Sequence, residues 1–228
     1  MSVADFVQRL FEPDPAVRSQ LAKPDDITKR ILRAALEQFE LVGVRRTTME
    51  DISRRGKTAR ATLYRRFPTK DHLVEAVVLS EVRRYFEGSE RAHASSSNLE
   101  EHLINGLAFN VQFLREHTLL KKMLATEPEV ILPSLTTDAG SILGFATSVA
   151  AAKIATWLPR NDAPTTSQER HLRTVAELHA RLTISFALTP QSGIDLDSPE
   201  AIKAFARSYL LPLAMSGQVC SGEQALPA

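Results

Sequence analysis

Apolar residues recur at intervals of three and four along most of the chain, which is the spacing of amphipathic helices. One such run places Ile27, Ile31, Ala35 and Phe39 on a single face, and Gly43 can end that helix. A sustained alternation of β-branched and polar residues, the pattern of strands, is not found, and glycine occurs only nine times in 228 residues. The sequence therefore predicts an all-α fold.

Polar runs divide the helical pattern into segments. The clearest breaks are predicted at 88–98 and 158–168. A short amphipathic helix that packs on its own domain or on a partner chain is predicted from the stripe Val3, Phe6, Val7, Leu10 and Phe11. The other predicted helices span about 27–42, 48–55, 59–66, 99–117, 137–158, 166–188 and 199–215, with one opening at Thr69 and a short pair around Pro128 and Pro133.

Composition excludes several classes of protein. The single cysteine, Cys220, can form neither an internal disulfide nor a cysteine-ligated zinc site, and it indicates a reducing, cytoplasmic setting. The first residues lack the basic lead and long apolar run of a signal peptide. The most apolar stretch, 143–158, is interrupted by Lys153 and is too polar to span a bilayer. We therefore expect no membrane, no metal and no cofactor.

Charge is concentrated in one block. The chain as a whole has a net charge of only +1, yet residues 45–70 carry nine lysines and arginines against two acids. The rest of the chain is therefore net acidic. A basic block in an acidic chain indicates a polyanion as partner for that block, although a solvated charged face is an equally simple interpretation.

The basic block contains RGKTARATLYRRF (55–67), in which Gly-Lys-Thr resembles the end of a phosphate-binding P-loop. A P-loop needs a glycine five positions before Gly56, where this chain has Asp51, and it needs a preceding strand. The preceding segment instead has a helical capping box that begins at Thr47 or Thr48. A helix at 48–55, a turn at 56–58 and a helix at 59–66 together predict a helix-turn-helix.

The second helix of such a unit enters the major groove of DNA with its N-terminal part. Arg60 and Arg65 lie on this helix, and arginine can bond guanine in a bidentate manner, whereas Leu63 is suited to the interior. Thr48 and the first turn of its helix can bind a phosphate. The predicted DNA-binding residues are Thr48, Lys57, Thr58, Arg60, Ala61, Thr62, Tyr64, Arg65, Arg66 and Lys70.

The stretches AALEQFELVGVRRTTMEDI (34–52) and TLYRRFPTKDHLVEAV (62–77) resemble the N-terminal domain of the tetracycline-repressor (TetR) family of bacterial regulators. The resemblance covers about residues 27–78. It implies a homodimer with a three-helix DNA-binding domain followed by a helical effector-binding and dimerisation domain. The predicted division is an N-terminal extension (1–24), a helix-turn-helix domain (25–71), a ligand-binding and dimerisation domain (72–216) and a flexible tail (217–228).

The turn departs from the family pattern Ala-Gly-Val-Ser, because this chain has Gly56, Lys57, Thr58 and Ala59. We predict that the turn has slid by one residue, so that Gly56 takes the left-handed conformation and Thr58 caps the second helix. In the alternative, Lys57 is left-handed, which costs roughly 1 kcal/mol. Lys57 adds a charge near the DNA backbone in both cases.

The resemblance also implies that the first helix of the second domain lines an effector pocket. Phe145 and Trp157 suit the core better than stacking on a ligand. His179 is predicted to be a core or dimer residue because no second metal ligand follows it at helical spacing. Apolar stripes on the last two helices suit a four-helix dimer interface. The predicted ligand-binding residues are His102, Asn105, Phe109, Phe113 and Trp157.

Together these features predict a regulator, namely a repressor released from a palindromic double-stranded operator by a small apolar effector. A ligand-sensing or protein-binding relative that has lost operator recognition through the changed turn remains the alternative. An enzyme would need a clustered acid and base or a Ser/His/Asp constellation, and the sequence shows neither. We therefore predict that the chain is not an enzyme.

Overall fold

The computed structural model describes residues 14–157, 165–189, 191 and 193–216, and every regular element in these ranges is helical, which confirms the all-α class. The predicted front helix at Val3–Phe11 and the predicted tail at 217–228 lie outside the described residues. The helices are α1 (Pro15–Ala22), α2 (Asp26–Val42), α3 (Met49–Arg55), α4 (Arg60–Arg66), α5 (Lys70–His93), α6 (Leu99–Glu116), α7 (Thr118–Thr126), α8 (Pro128–Leu135), α9 (Gly140–Ala155), α10 (Thr166–Leu188), α11 (Pro199–Phe205), a π-helical turn (Ala206–Leu210) and α12 (Leu211–Ser216).

The described residues form two compact units. One contains the chain up to Glu87 together with Glu116–Ser141, and the other contains Gly88–Arg115 together with the chain from Ile142 onward. The first unit is larger than the predicted helix-turn-helix domain, because α7 and α8 pack with it. The predicted boundary at residue 71 therefore falls inside this unit.

The first unit is built around α2. Asp25 caps this helix by accepting the Thr28 backbone N–H at 2.8 Å, and Gly43 ends it with a φ of 92° that glycine adopts without strain. Ile31 and Phe39, on one face, are almost fully buried. Other helices complete this core with Val17, Leu21, Ile52, Leu63, Phe67, Leu73, Val77 and Leu119.

The predicted linker at 88–98 is only partly correct, because α5 continues through it to His93. Gly88 lies inside the helix, where glycine is unfavourable by about 1 kcal/mol relative to alanine. A Cβ atom at this position would approach the Phe109 ring to 2.7 Å, so the glycine is needed for close packing of that ring. Gly88, which lies in a polar run of the sequence, is therefore a point of close contact with α6 and not part of a linker. The break itself is confined to residues 94–98.

The second unit has two apolar clusters, one on each side of α6. Ile104 and Leu107 pack with Phe186 of α10 and Ile202 of α11, whereas Leu103 faces another cluster. The members of that second cluster include Leu103, Ile154, Leu172, Val175, Ala176 and Ala214. The predicted bounds of α10 are confirmed at Thr166–Leu188, and Thr165 begins this helix with a capping box.

Candidate nucleic-acid interface

The first helix of the helix-turn-helix, α3, begins at a capping box. The Thr48 hydroxyl accepts the Asp51 N–H at 3.2 Å, and the Asp51 carboxylate accepts the Thr48 N–H at 3.1 Å. The Thr48 hydroxyl, which donates to the same carboxylate, and the Thr48 N–H together lower the pKa of Asp51. Thr48 is exposed, as a phosphate contact requires, but its side chain is already bonded to Asp51.

The turn between α3 and α4 differs from the predicted one. Gly56 is right-handed, with φ −76° and ψ −1°, and Lys57 is the residue with a positive φ, at 46°. Two hydrogen bonds close the end of α3: the Thr58 N–H donates to the Ser53 carbonyl at 3.0 Å, and the Lys57 N–H donates to the Arg54 carbonyl at 3.2 Å. This is a Schellman motif with lysine at the position that glycine usually takes. The predicted slide is wrong, and the alternative that placed Lys57 in the left-handed conformation is correct.

Packing explains why position 56 is a glycine although its φ is negative. A Cβ atom at Gly56 would lie 3.2 Å from the Ala34 Cβ atom and 3.2 Å from the Ile52 carbonyl oxygen. The glycine therefore allows α3 to end close against α2. Sequence alone could not separate this use of glycine from its use at a positive φ, because both uses place it in the same turn.

Thr58 is not the cap of α4, which corrects the second part of the turn prediction. Its side chain is buried, with 7% of the residue exposed, and the hydroxyl donates to the Gly56 carbonyl at 3.0 Å. Ser53 holds the Thr58 carbonyl from the other side at 2.6 Å. The N-cap of α4 is Ala59, which has no side-chain hydrogen bond. Thr58 was also predicted to contact DNA. Its buried hydroxyl is instead used in a hydrogen bond within the turn.

The second helix, α4, turns a polar face to solvent while Leu63 is fully buried on the opposite side. The Arg60 guanidinium lies against the Glu50 carboxylate of α3, and both side chains are about half exposed or more. An exposed pair of this kind is weak, so a nucleic-acid acceptor can replace the carboxylate. Of the predicted DNA-binding residues on α4, Arg60, Ala61, Tyr64 and Arg65 are exposed and Thr62 is half-buried.

Arg66 has a different environment from the other arginines of α4. Its guanidinium donates to both carboxylate oxygens of Asp25, at 2.9 and 2.7 Å, and to the Thr28 hydroxyl at 2.6 Å. The Thr28 backbone N–H and the Arg66 side chain lower the pKa of Asp25 to about 2. Arg66 therefore connects the end of α4 to the start of α2. The sequence predicted that this side chain contacts DNA, whereas the structure shows it bonded within the protein.

Lys70 begins α5 beside the loop that precedes α3. Its ammonium group donates to the Arg45 carbonyl at 3.1 Å, and burial lowers its pKa while Glu127 and Asp71 act in the opposite direction. The same loop is held by Glu127, whose buried carboxylate accepts the Arg45 N–H at 3.0 Å. Sequence reasoning missed Glu127. The available signal was the position of Glu127 directly before Pro128. Proline favours the first position of a helix, so the acid stands at the start of one.

The predicted ligand-binding residues all lie in the second unit and fall into separate contacts. His102 is buried, and its ring lies 5.5 Å from that of Trp157, whereas the Phe109 and Phe113 rings form another pair with centroids 5.5 Å apart. Asn105 donates to the Ser96 hydroxyl at 3.0 Å. His179, predicted as a core or dimer residue, is bonded to Asn110 at 3.2 Å.

The described ranges contain neither a metal site nor a membrane span. No group of three or more His, Cys, Asp or Glu side chains there is arranged to hold a metal ion. None of the helices in those ranges is both long and apolar enough to cross a bilayer.

Comparison with known proteins agrees with this geometry. Residues 31–77 match the family model described as bacterial regulatory proteins, tetR family. No curated protein matches the chain in sequence. Among solved structures, the TetR family repressor AlkX from Dietzia sp. strain DQ12-45-1b is similar in fold, with 20% identity over 86% of this chain and 98% of that chain and a TM-score of 0.54. The fatty acid degradation regulator FadR from Bacillus halodurans is 12% identical over 85% of this chain and 97% of that chain, with a TM-score of 0.50.

The matched residues 31–77 begin inside α2 and include α3, the turn, α4 and the first two turns of α5. They contain the Schellman turn at Lys57 and the exposed face of α4. The resemblance seen in the sequence is therefore confirmed by the family model and by the fold. Residues 31–77 match the tetR family of bacterial regulatory proteins and contain the helix-turn-helix described above.

Proposed function

We propose that this protein is a repressor that binds a near-palindromic operator as a homodimer and is released from it by a small, largely apolar effector. The observation that carries the proposal is the exposed face of α4 and its turn. Lys57, Arg60 and Arg65 are exposed on it, and Leu63 anchors the helix in the core. A face of this kind fits the major groove, where arginine reads guanine.

The altered turn supports DNA binding more than it opposes it. Both hydrogen bonds of the Schellman motif are formed although lysine replaces glycine, so α3 and α4 keep the arrangement that a helix-turn-helix needs. Lys57 projects from the turn as an exposed cation. A lysine there adds a phosphate contact, which strengthens binding without selecting a sequence.

Apolar side chains on the last helices support the homodimer. Leu178 on α10, Tyr209 on the π-helical turn and Leu213 on α12 are all more than 40% exposed, and α10 contacts α12. Exposed apolar side chains on packed helices suit burial against the same surface of a second copy. Recognition of a near-palindromic operator requires the α4 helices of the two copies to lie about one duplex turn apart, roughly 34–36 Å.

The proposal is tested by fluorescence anisotropy with a duplex from the region upstream of the gene and with a shuffled duplex of equal length. We expect Arg60→Ala to weaken binding to the upstream duplex by about 1–3 kcal/mol, with a smaller effect on the shuffled duplex. Arg173→Ala, at an exposed position of α10, is the matched control and should change neither affinity. Sedimentation of the same sample measures the dimer.

Three results separate the proposal from its alternative. Preference for the upstream duplex that is lost in Arg60→Ala supports operator recognition. Equal affinity of the wild type for both duplexes would favour the relative that has lost operator recognition. Absence of binding to either duplex at low salt would refute DNA binding altogether, because the electrostatic contribution is strongest there.

A further inference from the structure

One lysine and two histidines lie close together in the second unit, and we call His93, His102 and Lys153 the cation cluster. His102 is buried, and the other two are half-buried. The His93 and His102 rings are 4.1 Å apart between centroids. The Lys153 ammonium group lies 3.4 Å from the Ser89 hydroxyl, and His93 bonds the carbonyl of the same serine at 2.6 Å. Helices α5, α6 and α9 each contribute one member, so tertiary packing creates the cluster.

No carboxylate among the described residues forms an ion pair with the members of this cluster. Burial, and after it the charges of His93, Lys153 and His179, lower the pKa of His102 to about 4. Burial also lowers the pKa of His93, and so does the charge of Lys153, while the bond to Ser89 acts against them. In the described part of the chain Lys153 forms no ion pair. The lowered pKa values keep both imidazoles neutral at neutral pH, so the half-buried Lys153 ammonium group is the charge of the cluster, and it has no acidic counter-ion among the described residues.

One buried polar atom in the cluster has no hydrogen-bond partner. His102 is 7% exposed, and its Nδ1 atom is buried without a donor or acceptor. Most buried polar atoms are satisfied, so an orphaned one needs a reason such as a ligand that is absent. His93, in contrast, has bonded its Nδ1 atom to Ser89, and the protein makes room for its Nε2 atom at Gly106, where a Cβ atom would approach to 2.8 Å.

Apolar side chains continue from the cluster along one face of α6. His102, Gly106, Phe109 and Phe113 follow at steps of four, three and four residues, which places them on the same stripe of a helix. The two phenylalanine rings contact each other and are half-buried. The stripe therefore begins with a cationic group at one end and is aromatic at the other.

We propose that the cation cluster binds the carboxylate head group of an amphipathic effector, with the apolar tail along the Phe109–Phe113 stripe. Lys153 supplies the charge and His102 the hydrogen bond through Nδ1. This inference rests on the proposed ligand-responsive function and narrows its effector from an apolar molecule to an amphipathic monoanion. A metal ion does not fit the same residues, because no three potential ligands among the described residues converge on one point.

The single tryptophan of the chain provides the measurement, since Trp157 lies beside His102. Decanoate and 1-decanol, which share a tail and differ in the head group, are titrated below the micelle concentration while tryptophan fluorescence is recorded. We expect decanoate to bind at least ten times more tightly than 1-decanol. Lys153→Met should remove most of this preference and leave the affinity for 1-decanol unchanged.

Lys121→Met, at an exposed position of α7, is the matched control and should keep the preference for decanoate. His102→Phe keeps a ring at the second position, and it should also weaken decanoate more than 1-decanol. Thermal unfolding shows that the variants are folded, and Lys153→Met should unfold at the same temperature as the wild type or at a higher one, because it removes an unpaired cation.

Equal affinities of the wild type for decanoate and 1-decanol, or an unchanged preference in Lys153→Met, would overturn the inference. So would the absence of any fluorescence change with decanoate. DNA binding of the ligand-free protein is measured on the same preparation. A protein that binds its upstream duplex and ignores decanoate contradicts only this inference, whereas one that binds decanoate and no DNA contradicts the proposed function and leaves the site intact.

Discussion

Charged side chains have different partners in the two units. In the first unit Glu75 accepts the Asp14 N–H at 2.7 Å, and Glu127 accepts the Arg45 N–H at 3.0 Å. Arg66 in the same unit is shared between Asp25 and Thr28. In the cation cluster of the second unit the Lys153 ammonium group forms no ion pair with a carboxylate among the described residues. Charged groups are therefore paired or hydrogen-bonded at these positions of the first unit, whereas Lys153 lacks an acidic partner in the described part of the second.

The difference assigns different roles to these charges. A partnered buried charge holds elements together, and removing it leaves its partner unsatisfied. An unpartnered cation lowers stability in the free protein, and it can remain useful if a ligand supplies the missing charge. Partnered groups in the first unit are accordingly expected to be structural, and those of the cation cluster are expected to be functional. Substitutions in the two units test this contrast.

Glu127→Ala should have the largest effect on stability. The carboxylate is 4% exposed and holds the loop before α3, so its loss leaves a loop N–H without its acceptor and costs about 1–3 kcal/mol. Affinity for the upstream duplex should also fall, because Lys70 donates to the carbonyl of the same Arg45. Urea unfolding and anisotropy measure the two effects.

Glu129→Ala is the matched control for this substitution. Glu129 pairs with the Arg45 side chain, yet more than half of each side chain is exposed, so the loss should be at most about 1 kcal/mol. Glu127→Gln keeps an acceptor oxygen and should recover part of the stability. Equal losses for Glu127→Ala and Glu129→Ala would contradict the structural role of the buried carboxylate.

Sequence reasoning succeeded where local patterns determine the structure. The all-α class, the bounds of α10 and the position of the helix-turn-helix follow from helical spacing and from capping residues, which act within a few positions along the chain. The resemblance of residues 27–78 to the TetR family is confirmed over 31–77. The DNA-binding residues themselves remain a prediction, apart from the packing contacts that the structure gives Thr58 and Arg66.

Errors arose where a residue has its role only through a distant partner. Gly56 and Gly88 were both interpreted as backbone signals, and each is in fact a position where another helix or ring approaches closely. Arg66 looked like the other arginines of α4 until its contact with Asp25, 41 positions away, was visible. Glu127 and the cation cluster likewise depend on contacts between elements that no local pattern reveals.

Lys57→Gly should have an intermediate effect that separates the two functions of the turn. Glycine relieves the left-handed strain at φ 46°, which is worth about 1 kcal/mol, although its greater freedom in the unfolded chain offsets part of this gain. Loss of the charge should lower the salt dependence of DNA binding by about one unit of slope. Lys57→Gln is the control, and it should show the reduced slope without the gain in stability. A destabilised Lys57→Gly variant would contradict the Schellman turn.

Asp25→Asn should show the smallest effect, and that effect should disappear in acid. The Thr28 N–H and the Arg66 guanidinium hold the pKa of Asp25 at about 2, below the value of 3.8 expected when the chain is unfolded. The stabilisation from the charged carboxylate is therefore complete above about pH 4 and is lost as the pH falls through the folded-state value near 2. Asparagine keeps an N-cap but removes the charge, so the wild type should unfold at a higher temperature at pH 6, and the gap should close by pH 2.

Asp26→Asn, whose exposed carboxylate lies 3.8 Å from Lys29, is the control and should show a smaller gap at pH 6. A gap for Asp25→Asn that is constant from pH 6 to pH 2 would show that the pair with Arg66 adds nothing to the cap, and it would weaken the contrast between the partnered first unit and the cation cluster.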